Sequence, residues 1–455
     1  MSSITKTTAL IGGLIAGAIV LSACASASPT AAPQTTAAAQ TTAAAASAPA
    51  TSNSSPLAAT PAGPSTSPVT PIPPSSLTQP STSIPLSSPA VLPRVAINVT
   101  PTDATQNVSP TRPVQVRAAP GTLASVTLTN PEGKPVRGRL APDRSTWQSA
   151  EPLGYGRTYT VEVQAHAATN GPLTRVRSSF TTLNPSGTIY PSFFPTSAIK
   201  TVGVGQPMVV IFDKPPADRA AAEGALSVTA VPATEGGWYW WDDRTVHWRP
   251  KSYWKAGTRV TVQANIYGVN LGGGQYGQTD RSMTVTIGPS KIATIDDATK
   301  MMTVFIDGKK DRTIPVSMGR DQSVTVNGLD ISFVTPSGIY VAEEKYLVKQ
   351  MKSASYGLPA NSPLGYDSKI PLAVRISDGG IFVHSAPWSV ADQGIRNVSH
   401  GCININPTAA QWFYANFSYG DVVTVTGTGT RLEPTDGYGD WNIAWTKWRQ
   451  GSALS

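Results

Sequence analysis

Three side chains near the C-terminal end have the types and spacing to do chemistry. Cys402 lies in NVSHGCIN (Asn397 to Asn404), His400 stands two positions before it, and His384, in IFVHSAPW, lies fifteen residues before Ser399. A thiol attacks a carbonyl well only as the thiolate, and a nearby imidazole can take its proton. That imidazole needs its tautomer fixed by a partner at its other nitrogen. The same three side chains are also a partial zinc set, and a lone cysteine can simply pack as a small hydrophobe. A structural zinc wants a fourth ligand, and the chain has neither a second cysteine pair nor HExxH spacing, which disfavours a metal.

Only one other cysteine occurs in the 455 residues, Cys24. Lys6 precedes an uncharged apolar stretch from Thr8 to Ala23, shorter than the roughly 20 residues a spanning helix needs, so it reads as the apolar core of a signal peptide that spans residues 1–23. It ends in Leu21-Ser22-Ala23-Cys24, which resembles a bacterial lipobox; the resemblance implies cleavage before Cys24 and lipidation of its thiol. The expected location is the cell envelope, on the outer face of the cytoplasmic membrane. A lipidated Cys24 leaves Cys402 without a disulfide partner in an oxidising compartment, where a lone thiol points to reactivity.

The elements that must position these groups begin beyond a long tether. Residues 24–94 are almost entirely Ala, Ser, Thr, Pro and Gln, with no charge and no aromatic between Lys6 and Arg94. Such a segment cannot bury enough apolar area to offset its backbone entropy and reads as a disordered linker spanning roughly 45–50 Å as a coil. The net charge of +8 suits an anionic surface, but no Lys/Arg run or RNA-binding aromatic motif is present, so nucleic acid is not an expected partner.

From residue 95 to 288 apolar residues alternate with period two between turns. TYTVEVQA ends at Ala165 and TRVTVQA at Ala264, 99 residues apart (264 − 165), which predicts two consecutive immunoglobulin-like sandwiches, 95–183 and 184–288. GWYWWDDRTVHWRP predicts a hairpin turning at Asp242-Asp243. Its Trp238, Trp240, Trp241 and Trp248 are expected to pack a sheet face or a seam rather than form a sugar platform, with His166 and His247 structural.

Residues 289–428 form the third expected unit. MTVFIDGKKDRTIPVSMG predicts two strands about an Asp-Gly turn. Thr335 to Tyr366 is broken by Gly and Pro, lacks regular pattern, and is expected to be a flap over the site. LAVRISDGGIFVHS predicts a hairpin that leaves His384 at a strand end. NPTAAQWFYANF predicts a helix with Asn406 as N-cap, Pro407 in its first turn, and Ala410, Phe413 and Phe417 as its buried stripe. DVVTVTG returns as a strand. In the tail, 429–455, Trp441, Trp445 and Trp448 predict a short helix docking its aromatic face on this third unit.

His384, fourteen intervening residues, and then Ser399-His400-Gly401-Cys402-Ile403-Asn404 resemble the signature of the L,D-transpeptidase family, with its YkuD-type catalytic domain. The likeness extends to IFVHSAPWSV, GDWNIAW and the two upstream β domains, as in the mycobacterial and actinobacterial lipoprotein type. It implies a mainly β fold: two immunoglobulin-like β-sandwiches, a mixed, mostly β L,D-transpeptidase catalytic domain, and a short Trp-rich C-terminal subdomain. It further implies Cys402 as nucleophile, His384 as base, and the Ser385 carbonyl as orienter of His384. The N–H groups of Gly401 and Cys402, with the Tyr366 hydroxyl, would receive the oxyanion. His400, Asn404, Met351, Tyr356 and Trp388 would shape the substrate pocket.

The implied reaction is 3→3 cross-linking of peptidoglycan stem peptides. A tetrapeptide donor loses D-Ala to form a thioester on Cys402, and the side-chain amine of a diaminopimelate acceptor resolves it. No cofactor is needed, and carbapenem β-lactams are implied inhibitors. An L,D-carboxypeptidase or a protein-to-wall attachment enzyme would share the acyl-enzyme. An inactive wall-binding lipoprotein is the rival of a different class.

Overall fold

A computed structural model describes residues 94–167 and 171–455; the signal segment, Cys24 and the linker lie outside the described residues. The first sandwich faces the strands Ala96–Thr100, Gln115–Ala119, Thr146–Ser149 and Gly138–Leu140 against a five-stranded sheet centred on Thr158–His166. Its core is Val116, Leu123, Val161, Val163 and Phe180, the inward-facing residues of alternating strands. The second sandwich pairs a sheet of Pro191–Phe194, Met208–Phe212, Thr245–Pro250 and Gly236–Trp240 with one containing Arg259–Ala264. The 99-residue echo has a structural meaning. Thr158–His166 and Arg259–Ala264 each run between a later strand in sequence and an earlier one, antiparallel to both.

The third unit has two sheets. One runs Lys309–Pro315, Met301–Ile306, Lys291–Asp296, Val422–Thr426, Gly338–Val341. The other runs Glu344–Lys352, Asp367–Arg375, Phe382–Ser385, Ile403–Ile405. Between them lies a core of Ile295, Val304, Val374, Val383, Ile403 and Ile405, closed by Ala410 and Phe413 of the helix Pro407–Asn416 and by Phe417 just past its end. The Asn406 side chain accepts from the Ala409 N–H, so the cap and the buried stripe stand as expected.

Two expectations are corrected. The Thr335–Tyr366 segment is not irregular throughout: Gly338–Val341 and Glu344–Lys352 are strands, and only the part after Lys352 is a short 3-10 turn and loop. Glu344–Lys352 is an edge strand that leaves Leu347 and Val348 exposed, which erases the alternation a sequence reading relies on. The tail does not set its tryptophans on the catalytic unit. Trp441 sits in a 3-10 turn (Gly439–Asn442), the following helix Trp445–Arg449 has five residues, and all three indoles surround Arg249 of the second sandwich at 4.5–5.3 Å. The buried Arg249 side chain also donates to the Ile443 carbonyl at 2.7 Å. A cation offering its planar faces to indoles, with its N–H groups on carbonyls, is the partner this stripe required.

The second sandwich and the catalytic unit share more than this clasp. Gly203 and Gly205 donate to the Tyr419 and Gly420 carbonyls at 2.7 and 2.8 Å, and Val422 belongs to the sandwich core. A side chain on Gly203 would strike the Asp421 backbone, so the close approach requires glycine there.

Candidate active site

The parallel pairing of Phe382–Ser385 with Ile403–Ile405 brings the two halves of the motif together, setting His384 opposite Asn404 with Cys402 just before the second strand. His384 is buried, and its Nδ1 lies 3.0 Å from the Ser385 carbonyl. A carbonyl only accepts, so that contact assigns the proton to Nδ1 and leaves Nε2 as a basic lone pair. Exclusion from water holds the His384 pKa down at about 4, against a smaller opposing pull from the Ser385 carbonyl. Burial pushes the Cys402 thiol up to about 11, partly offset by the Phe382 N–H, and its Sγ contacts the Gly380 carbonyl at 3.7 Å. Burial thus works against the charged form of each group.

Cys402 stands on the wall between two clefts. One, of about 290 Å³, is lined by His384, Trp388, Asn404 and Arg320; the other, of about 710 Å³, by Tyr356, Lys349, Lys352, Gly380 and Phe382. Met351, Tyr366, His400 and Cys402 line both. The structure thus brings together every motif and pocket residue singled out in this unit, with different roles for some. Trp388 is 61% exposed and stacks on His384 with centroids 5.9 Å apart, covering the imidazole on its open side. Asn404 is tied to scaffold rather than free: its side chain donates to Ser389 Oγ at 3.1 Å, and its backbone exchanges two hydrogen bonds with Ser317. His400 packs edge-on against Phe333 at 4.7 Å, and burial, then the Arg320 charge, lower its pKa. Tyr366 is held well above the ordinary phenol range by burial, so it stays a neutral donor. Among the described residues His384, His400 and Cys402 do not gather with one another, or with a carboxylate, as a metal ligand group.

The turn before Cys402 departs from expectation. Gly401 adopts φ 121°, which side-chain-bearing residues rarely reach, and this conformation is the reason for glycine there. Its N–H donates to Ser399 Oγ at 3.1 Å, while that hydroxyl donates to the Cys402 carbonyl at 2.6 Å. The Gly401 N–H is therefore engaged in bracing the turn, whereas the Cys402 N–H has no acceptor among the described residues. Thr335 completes the brace, donating to the Gly401 carbonyl at 2.7 Å and accepting from the Gly319 N–H. Sequence reasoning placed Ser399 in the motif without a role and missed Thr335 and Arg320 as contributors. It also missed the hairpin Ser323–Val326/Leu329–Ser332, whose Ile331 packs with Phe333, Leu358 and Tyr356 behind the flap. Asn327-Gly328, both at positive φ between alternating apolar residues, is the signal that would have found it.

A family model for the L,D-transpeptidase catalytic domain matches residues 290–425, and one for a bacterial Ig domain matches residues 105–270. L,D-transpeptidase 2 of Mycobacterium tuberculosis (strain CDC 1551 / Oshkosh) is 44% identical over 364 residues, covering 80% of this chain and 86% of the relative. L,D-transpeptidase 5 of Mycobacterium tuberculosis (strain ATCC 25618 / H37Rv) is 37% identical over 372 residues, covering 80% and 78%. Among solved structures, LD transpeptidase LdtMt1 in complex with imipenem is 33% identical, covers 52% of this chain and 97% of its own, and has a TM-score of 0.44.

Proposed function

Since this chain belongs to the L,D-transpeptidase family, we propose that it forms 3→3 cross-links in peptidoglycan through an acyl-enzyme on Cys402. One observation carries the reading: Cys402 lies on the wall shared by two clefts, beside a histidine whose Nδ1 is pinned by a carbonyl. A two-substrate acyl transfer needs that arrangement, one cleft for each stem peptide around a single nucleophile.

The thiol proton passes to His384 Nε2 as sulfur bonds to the carbonyl carbon of the third stem residue, meso-diaminopimelate. Burial disfavours the charged form of both His384 and Cys402, which favours the neutral pair before attack, so in this proposal the proton moves as the carbon–sulfur bond forms. The Cys402 N–H and the Tyr366 hydroxyl receive the developing oxyanion. Collapse breaks the peptide bond, and the departing D-Ala amine takes the proton from the His384 imidazolium. The side-chain amine of a second diaminopimelate then attacks the thioester, gives its extra proton to His384, and releases the thiolate, which is reprotonated. A β-lactam such as a carbapenem would acylate the same sulfur by opening its ring.

Lipidation at Cys24, and through it anchoring to the outer face of the membrane, is part of the same proposal and rests on the Leu-Ser-Ala-Cys stretch. So is the division into a signal (1–23), linker (24–94), two spacer sandwiches (95–183 and 184–288), catalytic unit (289–428) and tail (429–455). The test is mass spectrometry of the products from a disaccharide-tetrapeptide. A dimer joined between two diaminopimelates supports cross-linking. A tripeptide alone identifies a carboxypeptidase, a protein conjugate an attachment enzyme, and no D-Ala release a wall-binding protein.

A further inference from the structure

Arg320 stands out in the smaller cleft. Among the described residues that line it, this is the one with a formal charge, since His384 and His400 are held neutral by burial. Arg312, Arg375 and Arg396 of the same unit each pair with a carboxylate, whereas Arg320 has no carboxylate partner among the described residues. Its guanidinium is half-buried and fixed: Nε donates to the Ser399 carbonyl at 3.2 Å and Nη2 to the Val398 carbonyl. Its backbone N–H reaches the same Ser399 carbonyl at 3.1 Å. A guanidinium has five N–H donors, so three remain after these side-chain contacts. An immobilised, unpaired fork beside a neutral thiol and imidazole is a receptor for a planar anion, which arginine binds through two parallel hydrogen bonds.

The proposed chemistry says which anion. The departing D-Ala amine must take its proton from His384, so the leaving residue lies in the cleft that His384 lines, the one Arg320 also lines. In D-Ala the carboxylate is separated from that amine by a single carbon. We propose that Arg320 binds the terminal carboxylate of the donor stem and thereby selects a chain with one residue beyond the scissile bond. The inference rests on the transpeptidase reading and deepens it. It gives the enzyme a reason to remove a single terminal residue rather than cut within a longer peptide.

The experiment crosses enzyme with substrate. Wild type, Arg320→Gln and Arg320→Lys are each given a disaccharide-tetrapeptide ending in free D-Ala and the same donor ending in D-alaninamide, and kcat/KM for release of the terminal residue is measured. Wild type is expected to lose ~10–100-fold on amidation, the usual worth of a charge-assisted hydrogen bond. Arg320→Gln is expected to be slowed by a similar factor on the free acid and to prefer it by no more than ~2-fold. Arg320→Lys should fall between them. A brace for the turn and nothing more would slow both donors equally and keep their ratio, which overturns the proposal, as does a wild type indifferent to amidation. Alkylation of Cys402 by iodoacetamide, a neutral probe, reports whether the Gln variant keeps its site. If it does not, the wild-type and Lys ratios decide. Wild type that releases neither product and forms no Cys402 adduct would instead sink the transpeptidase reading on which this rests.

Discussion

His384 and His247 are buried to the same degree, each 4% exposed, each on a strand, each with Nδ1 about 3 Å from an oxygen. Yet one sits in a cleft and the other in a seam. His247 lies 2.9 Å from Asp440 Oδ1 and stacks flat on Trp241 at 4.6 Å, joining the second sandwich to the C-terminal turn that carries Trp441. His384 has a backbone carbonyl at Nδ1, and the exposed Trp388 covers its open side above a cleft shared with a thiol. Burial and a hydrogen bond therefore do not mark a functional histidine. What sets His384 apart is that its second nitrogen is left to a cleft that a thiol also lines.

The largest expected effect separates the two regions by activity. Cys402→Ala should abolish D-Ala release, a loss of at least ~10³-fold, with little change in thermal midpoint. His384→Gln, which keeps volume but removes the base, should cost on the order of 10²–10⁴-fold with folding retained. His247→Ala should do the reverse. It leaves the buried Asp440 without this partner and should lower stability by about 3 kcal/mol, seen as a lower thermal midpoint, while kcat per folded molecule stays within about twofold. Equal activity losses in the two histidine variants would erase the distinction.

Two smaller effects concern pH. With the thiol near 11, iodoacetamide alkylation of Cys402 should keep rising with pH beyond 9, and a plateau from pH 6 would mean a preformed ion pair. Asp421, at the seam between sandwich and catalytic unit, is raised from 3.8 to about 7, chiefly by burial and against the pull of Lys291. A raised carboxyl pKa favours the folded state fully below the unfolded value of 3.8, and that contribution is lost as pH climbs to about 7. The stability loss over that window is on the order of a few kcal/mol at most, and Asp421→Asn should flatten it in melts run from pH 4 to 8.

The difference between the histidines was partly readable in the chain. The fixed interval from His384 to Ser399-His400-Gly401-Cys402 survives because a parallel strand pair sets it, and Asn406 announces its helix because capping is local. What stayed hidden depends on partners distant in sequence. A tryptophan stripe says that something covers it, not that the cover is Arg249, almost two hundred residues earlier. That the Gly401 N–H is engaged follows from the rotamer of Ser399, and that Arg320 has no carboxylate partner among the described residues follows from the whole domain's packing. Neither leaves a trace in local pattern.

The most direct measurement is intact and peptide-level mass spectrometry of the full chain after incubation with a disaccharide-tetrapeptide and no acceptor. The account expects an adduct equal to the donor minus D-Ala, mapped to the peptide containing Cys402, sensitive to hydroxylamine and absent from Cys402→Ala. An adduct on another residue, or turnover to product by the Cys402→Ala protein, would contradict it.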